Sequence, residues 1–501
     1  MIIERAYVCN SMKKIWAISL PAIILINVMI IVSGPGCANI IPPDGGHKDS
    51  LPPILSKASP PDSSSNFSEK KITLDFDEYI QLQNANQELI ISPVPKEEPA
   101  IESKLKTLTI RIKDTLEANT TYTLNFGNAI RDINEGNIAR NFTYIFSTGS
   151  TFDSLTLSGK VVLAVNGKVD TTIIVMLHKN GDDSAVVNEK PRYLTRLDSS
   201  GNFRFRNLPS GTFYIYALQD EGNSHRYQSE KQLFAFADSS ITVQNNNKPV
   251  LLYAYAEQAS THAPVSSRPQ LTSRPKPSAV SSDKRLKFQT NIKDGLLDLF
   301  DSLHLTFDQP LTKLDTSLIH FSSDSTFEPV SSYQFLTDSS QKKLTLQYNW
   351  KENTRYNLIV EKDFAEDSLG RALSKTDTLK FKTKKITDYG NVRIHFRNFE
   401  SAANPVLLFV QNENVVKSFP ISGPELRLTI FPPGDYELRV LYDRNKNGKW
   451  DPGQFFGKHI QPELVKPLGR KVTIKSNWEN EFDIQAPSAS SKEKMSNAQS
   501  N

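Results

Sequence analysis

The sequence predicts an all-β protein: a tandem array of four antiparallel β-sandwich domains, arranged as two pairs after an N-terminal signal helix. Three observations carry that prediction. From Lys70 onward, short segments alternate apolar and polar residues, as half-buried strands do. Beyond the N-terminal segment, no stretch keeps a long apolar period of 3.6 residues. Several sequence blocks recur in the same order 223 to 235 residues further on, which marks an internal duplication.

The first element is the apolar run Ile15 to Val32, preceded by Lys13 and Lys14. A basic start, an apolar stretch and then small residues make a secretory signal. The run ends in Ser33-Gly34-Pro35-Gly36-Cys37. Gly36 directly before Cys37 resembles a bacterial lipobox, in which the cysteine becomes lipidated. Gly34 and Pro35 depart from that motif, which prefers Leu and then Ala or Ser. The resemblance makes residues 1–36 a lipoprotein signal peptide and Cys37 the lipidation site. An uncleaved anchor helix is the alternative reading. Met12-Lys13-Lys14 looks like a natural start for such a signal, so both Met1 and Met12 stand as candidate starts. Ala38 after Cys37 supplies no acidic residue for retention at an inner membrane. That points to the outer membrane of a Gram-negative cell, with the chain held by its lipid. One acyl chain binds membranes marginally, and two or more anchor stably.

Residues 37–66 contain Pro42-Pro43, Pro52-Pro53, Pro60-Pro61 and a serine run. They read as a semi-rigid tether, about 90 Å long at about 3.1 Å per residue. Strands then follow at Lys71–Phe76 (KITLDF), Leu105–Ile112, Tyr122–Phe126 and Phe142–Phe146. The repeats align them with later segments. Asn119-Thr-Thr-Tyr122-Thr-Leu124 returns as Asn353-Thr-Arg-Tyr356-Asn-Leu358. Leu74-Asp-Phe76-Asp77 returns as Leu305-Thr-Phe307-Asp308, and Phe146-Ser-Thr148 as Phe381-Lys-Thr383. The loop around Asp132 and Gly136 parallels the one around Asp367 and Gly370. Leu208-Pro-Ser-Gly211-Thr-Phe213 matches Phe431-Pro-Pro-Gly434-Asp-Tyr436.

The first member of each pair, 67–150 and 284–385, resembles a bacterial Ig-like domain of the surface-layer type. The resemblance rests on KITLDFDEYIQL, ANTTYTLNFGNAIRDINEGN and FTYIFST. The second member, 155–256 and 388–485, resembles a carboxypeptidase-regulatory-like or prealbumin-like sandwich. It rests on Leu157-Ser-Gly159-Lys-Val161 and on the run from Asp198 to Phe213. These likenesses imply non-catalytic stalk or interaction modules. Residues 257–283 form a Ser/Pro-rich linker, and 486–501 a polar tail expected to be disordered.

Composition excludes several classes. Lys+Arg 59 against Asp+Glu 55 leaves +4 over 501 residues, too little for a nucleic-acid field. Two cysteines, Cys9 and Cys37, exclude a disulfide scaffold and a cysteine-rich metal module. The eight histidines form no H-E-x-x-H or H-x-H pair, and no G-x-S-x-G, P-loop or G-x-G-x-x-G occurs. No catalytic residue and no organic cofactor is expected. Asp75 and Asp77 share a strand face, as paired acids would, but the repeat has Thr306 in place of Asp75, so they read as a solvated face. Trp350, Trp450 and Trp478 are candidates for an aromatic glycan platform, against roles in core or loop packing.

One loop carries chemistry. Asp443-Arg-Asn445-Lys-Asn447-Gly448-Lys449-Trp450-Asp451 follows the calcium pattern D-x-[DN]-x-[DN]-G. Asp443, Asn445 and Asn447 would offer side-chain oxygens, Lys449 its carbonyl, and Asp451 a direct or water-mediated ligand. Gln454 stands where a bidentate Glu is expected, and a strand replaces the preceding helix. Structural calcium and a plain Asx-rich hairpin loop both fit. The equivalent loop from Asp220 has Gly222 at the second ligand place, and no ion is expected there. The function expected is a non-enzymatic, lipid-anchored envelope protein, with envelope proteins or glycans as partners and no nucleic acid. A carbohydrate-binding or adhesion lipoprotein, or an accessory subunit of an envelope enzyme or transport complex, is the alternative.

Overall fold

The computed structural model describes residues 48–258, 285–323, 326–397 and 403–485. The signal helix 1–36, Cys37, residues 38–47 of the tether, linker residues 259–283 and the tail 486–501 lie outside the described residues. Within them the chain is almost wholly strand, and its α-helical turns, Ala85–Glu88 and Ala185–Asn188, span four residues each. No helix among the described residues is long and apolar enough to cross a membrane. Four separate apolar cores divide the described chain into units 1 to 4, in chain order.

Unit 1 pairs two sheets. One has the order Leu55–Ser59, Lys71–Phe76, Thr107–Arg111, Ala100–Lys104. The other has Ile90–Ser92, Thr121–Asn125, Thr143–Ser147. Alternation does what the sequence requires: Ile72, Leu74 and Phe76 are buried while Lys71 faces solvent. Unit 3 repeats the first sheet with Phe288–Thr290, Leu303–Phe307, Lys343–Gln347 and Gln334–Thr337.

The N-T-x-Y repeat has a physical meaning. Asn119 and Asn353 take left-handed backbone, with φ 50 and 54. The tyrosine hydroxyls then accept from the backbone five residues back: Glu117 N to Tyr122 at 2.9 Å and Lys351 N to Tyr356 at 3.2 Å. Thr148 and Thr383 donate to the carbonyls of Glu117 and Lys351, both at 2.6 Å. One locked turn is thus built twice.

The boundary drawn at 67 is corrected. Leu55–Ser59 pairs with Lys71–Phe76 as the outer strand of the first sheet. Ser63 and Phe67 donate backbone bonds to Ile145 and Ser147. This stretch carries too few apolar residues to read as a strand alone. It folds because its backbone completes an existing sheet.

Units 2 and 4 share one topology strand for strand. In unit 2, Asn202–Leu208, Leu155–Leu163 and Val250–Ala254 form one sheet. Tyr193–Arg196, Ile173–His178, Gly211–Gln219 and Phe234–Phe236 form the other. Unit 4 answers with Glu425–Phe431, Gly390–Arg397 and Glu479–Gln485, facing Asn414–Pro420, Pro405–Gln411, Gly434–Tyr442 and Leu464–Ile474. These units are not purely antiparallel, which corrects the expectation. The first and last strands of each run parallel, because the chain between them crosses through the opposite sheet before returning.

Ile173–His178 is buried at all six positions. Ile173, Val175 and Leu177 face the core of unit 2, whereas Ile174 and Met176 face outward under Phe455 of unit 4. The two related sandwiches therefore pack on each other through the unit 4 loop that carries Phe455. Unit 1 in turn docks on unit 2: Val94 N donates to the Arg192 carbonyl at 2.9 Å, and the Arg192 guanidinium pairs with Glu117. Between units 3 and 4, Leu299 N donates to the Tyr389 hydroxyl at 2.7 Å.

Candidate functional site

The loop from Asp443 to Glu463 follows the strand Gly434–Tyr442 and returns to Leu464–Ile474. Asp443 is buried at the strand end. Its carboxylate accepts from Asn447 N at 3.3 Å and Gly448 N at 2.7 Å, and Gly448 supplies the left-handed turn at φ 74. Asn445 Oδ1 accepts from Asn447 N at 3.0 Å, and Asn447 Oδ1 from Lys449 N at 2.7 Å. Both amide nitrogens donate to Asp451 Oδ2, at 2.6 and 2.7 Å. The loop is thus satisfied as an Asx-rich turn. Lys449 is exposed.

Glu463 was missed by sequence reasoning. It is buried at 3% exposure and accepts from Arg444 N at 2.7 Å and Asp451 N at 3.1 Å. Trp450 Nε1 donates to its carbonyl at 2.7 Å. Burial raises the Glu463 pKa, and the nearby carboxylates of Asp443 and Asp451 raise it further. Gln454, placed by sequence at the closing position, instead exchanges backbone bonds with Ile460. Nothing local in the sequence signals Glu463, because a turn of the chain brings it back to the loop. Among the described residues no three His, Cys, Asp or Glu side chains converge to hold a metal ion.

The repeat shows what the aspartate does. Asp220 stands 223 residues before Asp443 and accepts in the same way, from Ser224 N at 2.9 Å and His225 N at 3.0 Å. There the His225 ring lies against the carboxylate, Nδ1 to Oδ2 at 2.6 Å. No such basic side chain pairs with Asp443, Asp451 or Glu463 among the described residues.

The tip of the unit 4 loop is an aromatic plug. Phe455 is 2% exposed, its ring 5.0 Å from Phe234, 5.0 Å from Phe236 and 5.7 Å from Tyr216. Phe455 N donates to Glu257 at 3.0 Å, and Gly457 N and His459 Nε2 bind the Asp183 carboxylate at 3.0 and 2.6 Å. A Cβ on Gly453 would lie 2.7 Å from the Tyr255 ring and 2.6 Å from the Ile460 carbonyl, so the approach requires glycine. The loop read as a cation site is, in the fold, the clamp between the two related sandwiches.

The other candidates have structural partners. Asp75 accepts from Thr107 Oγ1 at 2.6 Å, and Asp77 from Ile54 N at 2.8 Å. Trp350 is buried and donates to the Asp301 carbonyl at 2.8 Å. Trp450 packs at the clamp. Trp478 is 61% exposed, with Lys475 Nζ 5.0 Å from its ring centre.

Residues 49–148 match the family model of the bacterial Ig-like domain. That span covers unit 1, including the outer strand Leu55–Ser59. No curated protein matches the sequence. Among solved structures, the major pilin subunit BcpA of Bacillus cereus is 9% identical over 66% of this chain and 99% of its own, with a TM-score of 0.16. The Bacillus anthracis TIE protein is 11% identical over 88% and 76%, with a TM-score of 0.17. The N-terminal part of the bacterial S-layer protein SbsC is 16% identical over 41% and 44%, with a TM-score of 0.15. Similarity at these scores carries no inference about this chain.

Proposed function

We propose that the chain is a non-enzymatic, lipid-anchored protein of the cell envelope, acting as a structural and interaction module at the outer membrane. The observation that carries the reading is Gly36-Cys37 at the end of an apolar signal, followed by a bacterial Ig-like unit at 49–148. In this reading units 2 and 4 are prealbumin-like modules, and their aromatic clamp holds the two pairs in one fixed arrangement. The titratable groups at the clamp support it: they are spent on backbone N–H groups and on each other. The experiment is membrane fractionation with intact mass measurement, comparing the wild type with Cys37→Ser. The wild type should sediment with the outer membrane and carry acyl mass, and the variant should not. A Cys37→Ser protein that still sediments with unchanged processing would sink the anchor.

A second reading concerns the clamp loop. The D-x-[DN]-x-[DN]-G order of the loop, with the buried Asp443 at its head, favours a calcium ion held by Asp443, Asn445, Asn447, the Lys449 carbonyl and Asp451. The ion would require both asparagine amides to rotate their oxygens inward. Calcium should then raise the melting temperature of the wild type and leave Asp443→Ala unmoved. Equal melting of the wild type in calcium and in chelator would remove this reading.

A further inference from the structure

Unit 2 carries an arginine pair that its repeat has neutralised. Strand Asn202–Leu208 puts Phe203 and Phe205 into the core and Arg204 and Arg206 on its open face. Neither guanidinium has a hydrogen-bond or ion-pair partner among the described residues. In the equivalent strand of unit 4, Arg427 stands 223 residues beyond Arg204 and pairs with Glu425 at 2.6 Å. Arg393 also pairs with that carboxylate. Arg427 and then Arg393 hold the Glu425 pKa down at about 2. In unit 2 the counterpart of Glu425 is Asn202, and that of Thr429 is Arg206. The same strand is internally balanced in one copy and left cationic in the other.

The unbalanced strand borders a cleft between units 1 and 2, with a cavity volume of about 1070 Å³. Arg196 lies on its wall but is committed, donating to the Glu88 and Gln87 carbonyls. The carboxylates of the lining are committed too: Glu88 accepts from Asn128 N, and Asp198 from Ser200 N and Asn202 N. Asn125, Asn141 and Asn202 line the same space; Asn125 Oδ1 accepts from Gly127 N at 2.8 Å and Asn202 Nδ2 donates to Asp198 at 3.0 Å, which leaves the Asn125 nitrogen and the Asn202 oxygen.

We propose that this cleft binds an anionic oligosaccharide, with its carboxylate or phosphate groups on Arg204 and Arg206 and its hydroxyls on the asparagine amides. A guanidinium fork matches both oxyanions in two parallel hydrogen bonds. The Asn125 nitrogen can donate to a sugar hydroxyl and the Asn202 oxygen can accept from one. Both arginines line this one cavity, so a single chain seated there can meet both. The inference deepens the interaction role proposed above and rests on it, yet the two fail separately, because glycan binding and membrane fractionation are independent readouts.

The test is fluorescence anisotropy with the detergent-solubilised full chain at low ionic strength. The probes are labelled oligogalacturonate, a phosphate-bearing oligomannose and a neutral oligogalactose. The anionic probes should bind, with affinity falling in 0.5 M salt as screening sets in. The neutral probe should bind about tenfold more weakly or worse. The double variant Arg204→Gln/Arg206→Gln, at exposed positions, should lose at least about tenfold in affinity for the anionic probes, with an unchanged melting temperature. Arg427→Gln should bind as the wild type does. Preference between the galacturonate and the phosphate probe identifies which oxyanion the site takes. Equal binding of neutral and anionic probes, or full affinity in the double variant, would overturn the proposal.

Discussion

Asp132 and Asp367 are the same residue built twice, and both are buried. Asp132 accepts from Glu135 N at 2.6 Å, Gly136 N at 2.9 Å and Asn137 N at 2.7 Å. Burial works against its ionised form, but these backbone donors outweigh it and hold the pKa low. Asp132→Ala leaves a buried site without its acceptor and three part-buried N–H groups unpaired, and should cost about 1–3 kcal/mol, read by chemical denaturation. Asp75→Ala, on a half-exposed face, should cost about 0.5 kcal/mol or less. His178 makes a pH prediction. It is 1% exposed, and burial lowers its pKa from 6.5 to about 4. A depressed histidine pKa means that the unfolded chain binds the extra proton first. The stability is therefore intact above pH 6.5 and is lost as pH falls toward 4. The loss should reach about 3 kcal/mol at pH 4. His178→Gln should flatten that part of the pH–stability curve, and an unchanged acid slope would contradict the assignment. The alternation of Lys71–Phe76 was readable because one strand face is wet. His178 was not, since its burial comes from side chains distant in sequence.

At the scale of elements, the outer strand Leu55–Ser59 and the clamp loop make the sharpest claims. A chain beginning at residue 67 should lose the outer strand and expose the backbone of Lys71–Phe76. Unit 1 should then melt lower than in a chain beginning at residue 48, and equal melting would restore the longer tether. The repeat could have placed this strand. Phe288–Thr290 is its counterpart, and the 231-residue shift that aligns Leu74 with Leu305 maps position 284 near 53, not 67. At the clamp, Phe455→Ala removes a ring packed among Tyr216, Phe234 and Phe236, and should cost about 3–5 kcal/mol if the cavity does not collapse. Hydrogen exchange should then rise along Ile173–His178, whose outward face the plug covers. Unchanged protection there would mean that the two sandwiches do not depend on the plug. A cue for this contact stands in the sequence. Ile173–Leu177 and Val406–Val410 are unbroken apolar runs, the pattern of strands covered on both faces.

At the scale of the molecule, duplication explains both the likeness and the division of labour. Units 2 and 4 keep one strand order, and their loops from Asp220 and Asp443 keep one hydrogen-bonding scheme. Each of these loops meets a different neighbour. Asn223 in the first donates to the Asn86 carbonyl of unit 1 at 3.2 Å, while the second plugs unit 2. A sandwich that extends one loop can dock on the unit beside it, and repetition of the pair then yields a connected assembly. If that assembly is fixed as drawn, cysteines placed at Asp183 and His459, whose native side chains meet at 2.6 Å across the gap, should be joined by a short bis-maleimide reagent. Failure of that cross-link would mean that the clamp opens in solution.

The sequence by itself determined the strand content, the duplication, the turn built on Asn119 and Tyr122, and the candidate lipid site at Cys37. These rest on local rules: side-chain alternation, left-handed asparagine, a small residue before a cysteine. Tertiary structure alone decided that Leu55–Ser59 belongs to a sheet, that Glu463 joins Asp443 and Asp451, and that the loop between them is a clamp. It also decided that Arg204 stands unpaired beside a cleft while Arg427 does not. Each of these depends on which distant residues the chain brings together, and a one-dimensional pattern does not specify a neighbour across a sheet or between two folded units.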